Sequence, residues 1–491
     1  MMLARLLERI EYKVIQGNTD IDVNKLCYDS RKVEKGDVFV CIKGSGFDAH
    51  DFVDDVVEKG AAAIIVQDDV EVPESVTVVK VENTRKALAF MSAAYFDYPA
   101  EQITTIGITG TKGKTTTTYM VKSVLDSVGI KTGLIGTIGA VYGDEIIKTA
   151  NTTPESFIIQ EAFRKMVDAG IQCVVMEVSS QGLMLDRVTG FTFDYGIFTN
   201  LEPDHIGPNE HTSFEHYLEC KAMLFKQCKH AIVNIDDKHT EEILKGSTCD
   251  VETYGVENEA DFRATNIELF TKPGKLCVSY DMTGKMEMPV EIHVPGIFSV
   301  YNSLCAIAIC SHLTDDKEVI KKALIDISVK GRVEIVKVSD RFVFMIDYAH
   351  NAMSLESLLT SLKEYNPKRI VTIFGCGGNR SKDRRYEMGE VSSKLADFTV
   401  VTSDNPRFEE PMDIINDILV GIKKADGEYE TVPDRKDAIR YAIMNAKDGD
   451  IIVLAGKGHE DYQEIKGVKY PMDERTLINE VISEEEVKKV L

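Results

Sequence analysis

"GITGTKGKTTTTYMV" occupies residues 107–121. An apolar run ends at Thr109, two glycines punctuate the next four residues, and a helical pattern follows. Gly110 and Gly113 let backbone amides curl around phosphate oxygens. Lys114 adds a point charge, and Thr115 or Thr116 offers a hydroxyl to a magnesium ion. Thr111 and Lys112 lie within the turn, and the helix start adds the positive end of its dipole. Against G-x-x-x-x-G-K-[ST] the spacing is off by one, because Ile108 stands where the first glycine belongs. A Gly-rich turn without a ligand is the competing reading.

Working outward, residues from about 100 to 331 alternate apolar strands with helical patterns: "ITTIGIT", "TTTYMVKSVLDSVG", "CVVMEVSS", "DYGIFTNL" and "HAIVNID". Such alternation predicts a largely parallel sheet covered by helices. A second alternating block runs from about 332 to 491, through "FVFMIDYAH", "RIVTIFGCGG", "FTVVTSDNPR" and "DIIVLAGKGHE". Before the loop, residues 1–99 hold short strands such as "GDVFVCIKG" and "GAAAIIVQ" and a helical stretch near 84–96, and Pro99 in "FDYPAEQ" marks a boundary. A chain of 491 residues exceeds one ordinary core. The expectation is α/β with three domains, 1–99, 100–331 and 332–491. Polar or Gly-rich clusters follow the carboxyl ends of the predicted strands, which is where open parallel sheets bind ligands.

The formal charge of -23 argues against generic binding to nucleic acid or anionic membranes. It leaves room for a small polyanion in a local basic pocket. Ten cysteines show no C-x-x-C pair, so neither a zinc ribbon nor a disulfide framework is indicated. "MMLARLLERIEYKVIQG" carries charges every few residues, and no run of about 18 apolar residues occurs. A cytoplasmic protein with no membrane insertion is expected.

The loop in its T-G-T-x-G-K-T form is followed by "NTTP" (151–154), "MEVSSQGL" (176–183), "TNLEPDHIG" (199–207), "ECKAMLF" (219–225), "GIFSVYNSLCA" (296–306), "KGRVE" (330–334) and "IDYAHN" (346–351). In this order, and over nearly the whole chain, these segments resemble the Mur ligase superfamily, which includes the folylpolyglutamate synthetases. "YDSRKV" (28–33), "SDNPR" and "GKGHEDYQ" resemble its UDP-N-acetylmuramoyl-tripeptide synthetase branch.

The resemblance implies a small N-terminal UDP-binding domain, a central P-loop ATPase domain and a C-terminal Rossmann-like domain that binds an amino acid. ATP would phosphorylate a carboxylate, and an amine would attack the acyl phosphate. Such chemistry asks for charge neutralisation and alignment rather than a protein nucleophile. Lys114, Glu177, His205 and Lys221 would be catalytic. Thr115, Glu177, His205 and Lys221, the last as a carbamate, would hold Mg2+. Asn302 and Asp347 match contacts to base and ribose, and Arg332 one near the phosphates. Ser30, Asn151, Thr152, Thr153, Ser179 and Arg187 would hold the sugar nucleotide and its peptide. Taken singly, Glu177 is a strand-end carboxylate, His205 a loop residue and Lys221 a lysine on an amphipathic helix. Asn302 could likewise cap a helix, and Arg332 could pair with Glu334 or another surface carboxylate.

Arg380, Asp404, Asn405, Pro406, Arg407, Gly456 and Glu460 would surround the incoming amino acid. Arg407 would pair with the far carboxylate of meso-diaminopimelate, while Asp404, Asn405 and Glu460 face its far amine. With lysine, Arg407 would be left buried and unpaired. Glu409 and Glu410 belong by this reading to the start of the next helix, beside Pro411. Ala352 stands where the family usually has proline, Leu185 where this branch commonly has glutamine, and the 202–213 segment departs from the commoner form. The implied reaction adds meso-diaminopimelate to UDP-MurNAc-L-Ala-D-Glu at the expense of ATP, in a monomer. L-Lysine or another diamino acid is the nearest alternative. A P-loop NTPase switch or a noncatalytic nucleotide-binding protein is the alternative of another class.

Overall fold

Strands buried on both faces read as unbroken apolar runs, and the three main sheets are built from such runs. Val38–Val40, Ala63–Val66, Thr104–Thr109 and Asp450–Ala455 are almost wholly buried. The computed structural model describes residues 1–491 except Ser45, His205, Pro208, Asn209 and Asp326.

The chain divides into two compact units, Met1–Arg263 with Leu304–Asp316, and Ala264–Ser303 with Lys317–Leu491. The first contains a five-stranded N-terminal sheet, ordered Lys13–Gln16, Thr77–Lys80, Ala63–Val66, Val38–Val40, Leu26–Cys27. Only its Lys13–Gln16 edge is antiparallel. The Thr84–Tyr95 helix covers it, with Asn83 as N-cap accepting from the amides of Arg85 and Lys86.

The central sheet of this unit runs Asp250–Gly255, Cys228–Asn234, Phe193–Phe198, Thr104–Thr109, Cys173–Glu177, Thr132–Gly136, all parallel. Gly139–Tyr142 and Glu145–Ile147 extend it as an antiparallel meander. Aromatic packing ties the two sheets into one unit: Tyr28 and Tyr95 lie 5.7 and 5.9 Å from Phe157, on the Ser156–Asp168 helix.

In the second unit a six-stranded sheet is ordered Glu334–Val336, Val343–Asp347, Asp450–Ala455, Arg369–Phe374, Phe398–Val401, Tyr429–Thr431. Its first strand is antiparallel and the other five are parallel. The order places the loops after residues 347, 374, 401 and 455 at one edge. Among the described residues no helix is long and apolar enough to cross a membrane. All ten cysteines are free thiols, nine of them buried.

Candidate active site

The loop after Thr104–Thr109 is held in shape by its neighbours. Gly110 lies at φ 150°, and a Cβ there would stand 1.9 Å from Thr199 Oγ1. Gly113, at φ 86°, opens the Lys114–Ser127 helix. Thr199 Oγ1 donates to Lys112 O at 2.7 Å, Lys112 N to Asn200 Oδ1 at 2.8 Å, and Thr111 N to Asn200 O at 2.9 Å. Lys114 Nζ curls back onto the carbonyls of Gly110 and Thr111, at 2.8 and 3.0 Å. Thr116 is buried in the first helical turn.

Glu177 ends its strand 1% exposed. Thr115 Oγ1 donates to its Oε2 at 2.9 Å and Thr137 N to its Oε1 at 2.9 Å. Two hard oxygen donors, a hydroxyl and a carboxylate, thus meet beside the loop. Lys221, on the Phe214–Ala222 helix, is 2% exposed, and its Nζ donates to the same Gly110 carbonyl at 2.8 Å. Burial, and then the neighbouring Lys114 charge, hold its pKa well below the ordinary lysine value. His205 lies outside the described residues.

Around Glu177 the threonines and serine of the sugar-nucleotide set come together. Thr153 Oγ1 donates to Glu177 O at 3.0 Å and accepts from Ser179 N at 2.9 Å, and Thr152 Oγ1 lies 3.1 Å from Thr137 Oγ1. Ser179 Oγ also caps a short helix by accepting from Gly182 N at 3.0 Å. Arg187 is committed internally, donating Nη1 to Thr153 O at 3.0 Å and Nε to Glu155 at 3.1 Å. Glu155 is shared with Arg85 Nη1 at 3.0 Å. Asn151 takes Thr149 Oγ1 on its carbonyl at 3.0 Å. Ser30 opens a turn whose carbonyl accepts from Lys59 at 2.7 Å, and it takes no part in these bonds.

In the second unit, Asn302 lies buried inside the Ile297–Cys310 helix, so it is no helix cap. Arg332 does not pair with Glu334, which is held by Arg475 and by the amide of Gly331. Its guanidinium lies over the Tyr348 ring at 5.0 Å instead. Asp347 accepts from the amides of Val333 and Ala349, each at 2.8 Å, and burial raises its carboxyl pKa against the opposing Arg332 charge. Asn351 caps the Ala352–Lys363 helix by accepting from Ser354 N at 2.8 Å. Ala352 thus fills the first helical position, where proline is favoured but not required.

The four loops at the edge of this sheet enclose a cavity of about 140 Å³. Arg380, Asp404, Asn405, Arg407, Gly456 and Glu460 all line it, together with Tyr348, Cys376 and Arg384, whereas Pro406 does not. Pro406 instead packs its backbone on Gly378, where a Cβ would lie 1.9 Å from Pro406 O. Burial pushes the Cys376 thiol up to about 12, which removes it as a nucleophile at neutral pH.

Two expectations here are corrected. Arg407 is neither fully buried nor unpaired: its side chain is 25% exposed and donates Nε to Glu464 Oε2 at 3.2 Å and Nη1 to Gly378 O at 2.7 Å. An unpaired charge therefore does not by itself exclude lysine. Glu409 does not serve the next helix, whose N-cap is Glu410 with Pro411 at the first position. It grips the buried Arg385 with both oxygens, at 2.7 and 2.8 Å, and that guanidinium holds its pKa down to about 2.

Sequence reasoning also passed over Lys457, fully buried, whose Nζ donates to Asn405 Oδ1 and Glu460 Oε2, both at 3.0 Å. It likewise passed over Arg435, which joins the buried Glu474 to the carbonyls of Ser403 and Ala455. Lys457 stands inside the quoted "GKGHE", so its place after a buried strand was the available signal. Arg435 offered none.

"Mur ligase family, catalytic domain" matches residues 22–96, "Mur ligase middle domain" 108–310, and "Mur ligase, glutamate ligase domain" 331–458. The UDP-N-acetylmuramoyl-L-alanyl-D-glutamate--2,6-diaminopimelate ligase of Clostridium perfringens is 43% identical over 489 residues, covering 98% of this chain and 99% of its own. A ligase of the same name from Clostridium acetobutylicum is 44% identical over 487 residues, covering 99% and 100%. A solved structure of such a ligase superposes with a TM-score of 0.74 at 27% identity, over 98% of this chain and 99% of its own. The folylpolyglutamate synthase of Thermotoga maritima, 17% identical, shares the fold over only 76% of this chain, with a TM-score of 0.60 and 89% of its own length covered. With matches in succession along three domains and relatives above 40% identity over their full length, the chain belongs to the Mur ligase family.

Proposed function

We propose that this ligase joins meso-diaminopimelate to the D-Glu side-chain carboxylate of UDP-MurNAc-L-Ala-D-Glu in peptidoglycan precursor synthesis, through an acyl phosphate, with ADP and phosphate as products. One observation carries the reading. Arg380, Asp404, Asn405, Arg407, Gly456 and Glu460 line a single cavity, offering guanidinium groups to a far carboxylate and acceptors to a far amine. The names of the relatives above carry the same pair of substrates.

The 110–113 turn and Lys114 hold the polyphosphate of ATP, with Thr111, Lys112 and Thr116 in the same turn and helix start, and this fixes the γ-phosphate for in-line attack. Asn302, Asp347 and Arg332 serve base, ribose and phosphates. Ser30, Asn151, Thr152, Thr153, Ser179 and Arg187 serve the sugar nucleotide and its peptide. The adjoining Thr115 hydroxyl and Glu177 carboxylate fit Mg2+ as hard donors, joined by His205 and by Lys221 as a carbamate. The ion, when bound, neutralises charge on the phosphoryl oxygens. Lys221 suits carbamate formation because burial, and then the Lys114 charge, lower its pKa and so favour the neutral amine, the form that adds CO2. Domains 1–99, 100–331 and 332–491 are proposed in accord with the three sheets. A monomer is proposed because one chain carries every group named, and a place in the cytoplasm because free thiols suit a reducing compartment.

The test is phosphate release from ATP by purified protein with UDP-MurNAc-L-Ala-D-Glu, comparing meso-diaminopimelate, L-lysine and L-ornithine. Release should require the sugar nucleotide and be fastest with meso-diaminopimelate. Release without the nucleotide, or indifferent to the amino acid, overturns the reading.

A further inference from the structure

Arg407 carries the far-carboxylate role in the reading above, and a carboxylate of its own chain already sits on one edge of it. Glu464, on the Tyr462–Ile465 strand, accepts from Nε at 3.2 Å, while Gly378 O accepts from Nη1 at 2.7 Å. With two of the three nitrogens anchored, the plane of the guanidinium is set. Nη2 has no partner among the described residues.

The same strand fixes the backbone. Arg407 N donates to Glu464 O at 3.0 Å, and Lys466 N donates to Arg407 O at 2.6 Å. This clamp keeps Arg407 at φ 52°, a left-handed conformation that a non-glycine residue adopts only when its surroundings impose it. Asn405 is drawn into the arrangement, since its Oδ1 accepts from Glu464 N at 2.9 Å. Glu464 itself does not line the cavity that Arg407 lines. Its contribution passes through Arg407.

We propose that Glu464 is a positioning residue for amino-acid selection. It holds Arg407 by Nε so that Nη2 is presented to the distal carboxylate of a diamino dicarboxylic acid. This rests on the cavity being the amino-acid site. It goes beyond that reading by assigning selectivity to the pair rather than to Arg407 alone. A diamino monocarboxylic acid such as L-lysine makes no use of the presented edge, so its turnover is independent of Glu464.

The experiment measures kcat and KM for meso-diaminopimelate, L-lysine and ATP in the wild type, Glu464→Ala and Glu464→Gln, with thermal midpoints recorded alongside. Glu464→Ala should raise KM for meso-diaminopimelate about tenfold, with kcat, the KM for ATP and kcat/KM for L-lysine all within twofold. Glu464→Gln, which keeps an acceptor for Nε, should recover most of that loss. An equal fall for both amino acids marks a general structural role and overturns the assignment, as does an unchanged or lowered KM for meso-diaminopimelate in Glu464→Ala. A wild type indifferent to the amino acid instead overturns the reading of the cavity, and this assignment with it.

Discussion

On the function proposed, the 107–121 loop meets its ligand mostly through backbone amides, whose positions follow from Gly110 at φ 150° and Gly113 at φ 86°. In the cavity of the second unit the corresponding groups are side chains, held by other side chains that mostly lie more than 50 residues away. Lys457 fixes Asn405 and Glu460, Glu464 fixes Arg407, and Arg435 joins the loops that carry Ser403 and Ala455. The difference bears on how each fails. A backbone cradle has no room for an added carbon and fails outright, whereas a side-chain lattice loses one contact at a time.

The sharpest way to break the comparison is Gly110→Ala. The new Cβ would lie 1.9 Å from Thr199 Oγ1, whose rotation away would break its bond to Lys112 O, and 3.1 Å from the Asn200 backbone, at a φ of 150° that strains any residue with a Cβ. The turn must open, and kcat/KM for ATP should fall about a thousandfold in a protein that remains folded by circular dichroism. Activity within tenfold of wild type would show that the loop is not governed by its backbone.

An intermediate effect is expected from Lys457→Met, which keeps the length of the buried stem and removes the ammonium. Asn405 and Glu460 then lose a shared partner, and the buried Asn405 amide oxygen keeps only the Glu464 amide. KM for the amino acid should rise about thirtyfold while KM for ATP stays within twofold. Unfolding in denaturant should show a stability loss of about 2 kcal/mol. Equal changes in both KM values would mean that the cavity shares the all-or-none character of the loop.

The same contrast explains what was legible in the sequence. The loop reads from fifteen consecutive residues, because glycine spacing and a strand-to-helix change are local properties. The clusters after "FVFMIDYAH", "FTVVTSDNPR" and "DIIVLAGKGHE" also read correctly as one edge, since parallel strands put their carboxyl ends together. The partners did not read. Arg407 meets Glu464 because Asp450–Ala455 and Phe398–Val401 both flank Arg369–Phe374, and Arg385 meets Glu409 because Arg369–Phe374 and Phe398–Val401 pair directly. Alternation of apolar segments predicts a parallel sheet but not its strand order. Glu409 was for that reason assigned to the nearest helix in sequence. Taken singly, Lys221 reads as a lysine on an amphipathic helix, because the Gly110 carbonyl that holds its Nζ lies 111 residues away.

The smallest effect belongs to His459, which adds a titrating group to the side-chain lattice. Its ring lies 4.7 Å from that of Tyr348. Burial, and next the Arg332 charge, push its pKa down to about 4. In the unfolded chain a histidine titrates near 6.5, so the folded state favours the neutral ring. The stability this gives is fully present above pH 6.5 and is lost as the pH falls toward 4, because protonation there places a cation among Arg332, Lys330 and Arg475. The ring is only partly buried, so solvent screening reduces the effect to about 1 kcal/mol. Denaturant unfolding at pH 7 and pH 4.5 should therefore show a smaller acid-induced loss in His459→Gln than in the wild type, by about that amount. The substituted amide cannot protonate, so the residual loss reports the other groups. An identical loss in both proteins would place the ring in solvent and would remove His459 from the charged lattice that sets the cavity apart from the loop.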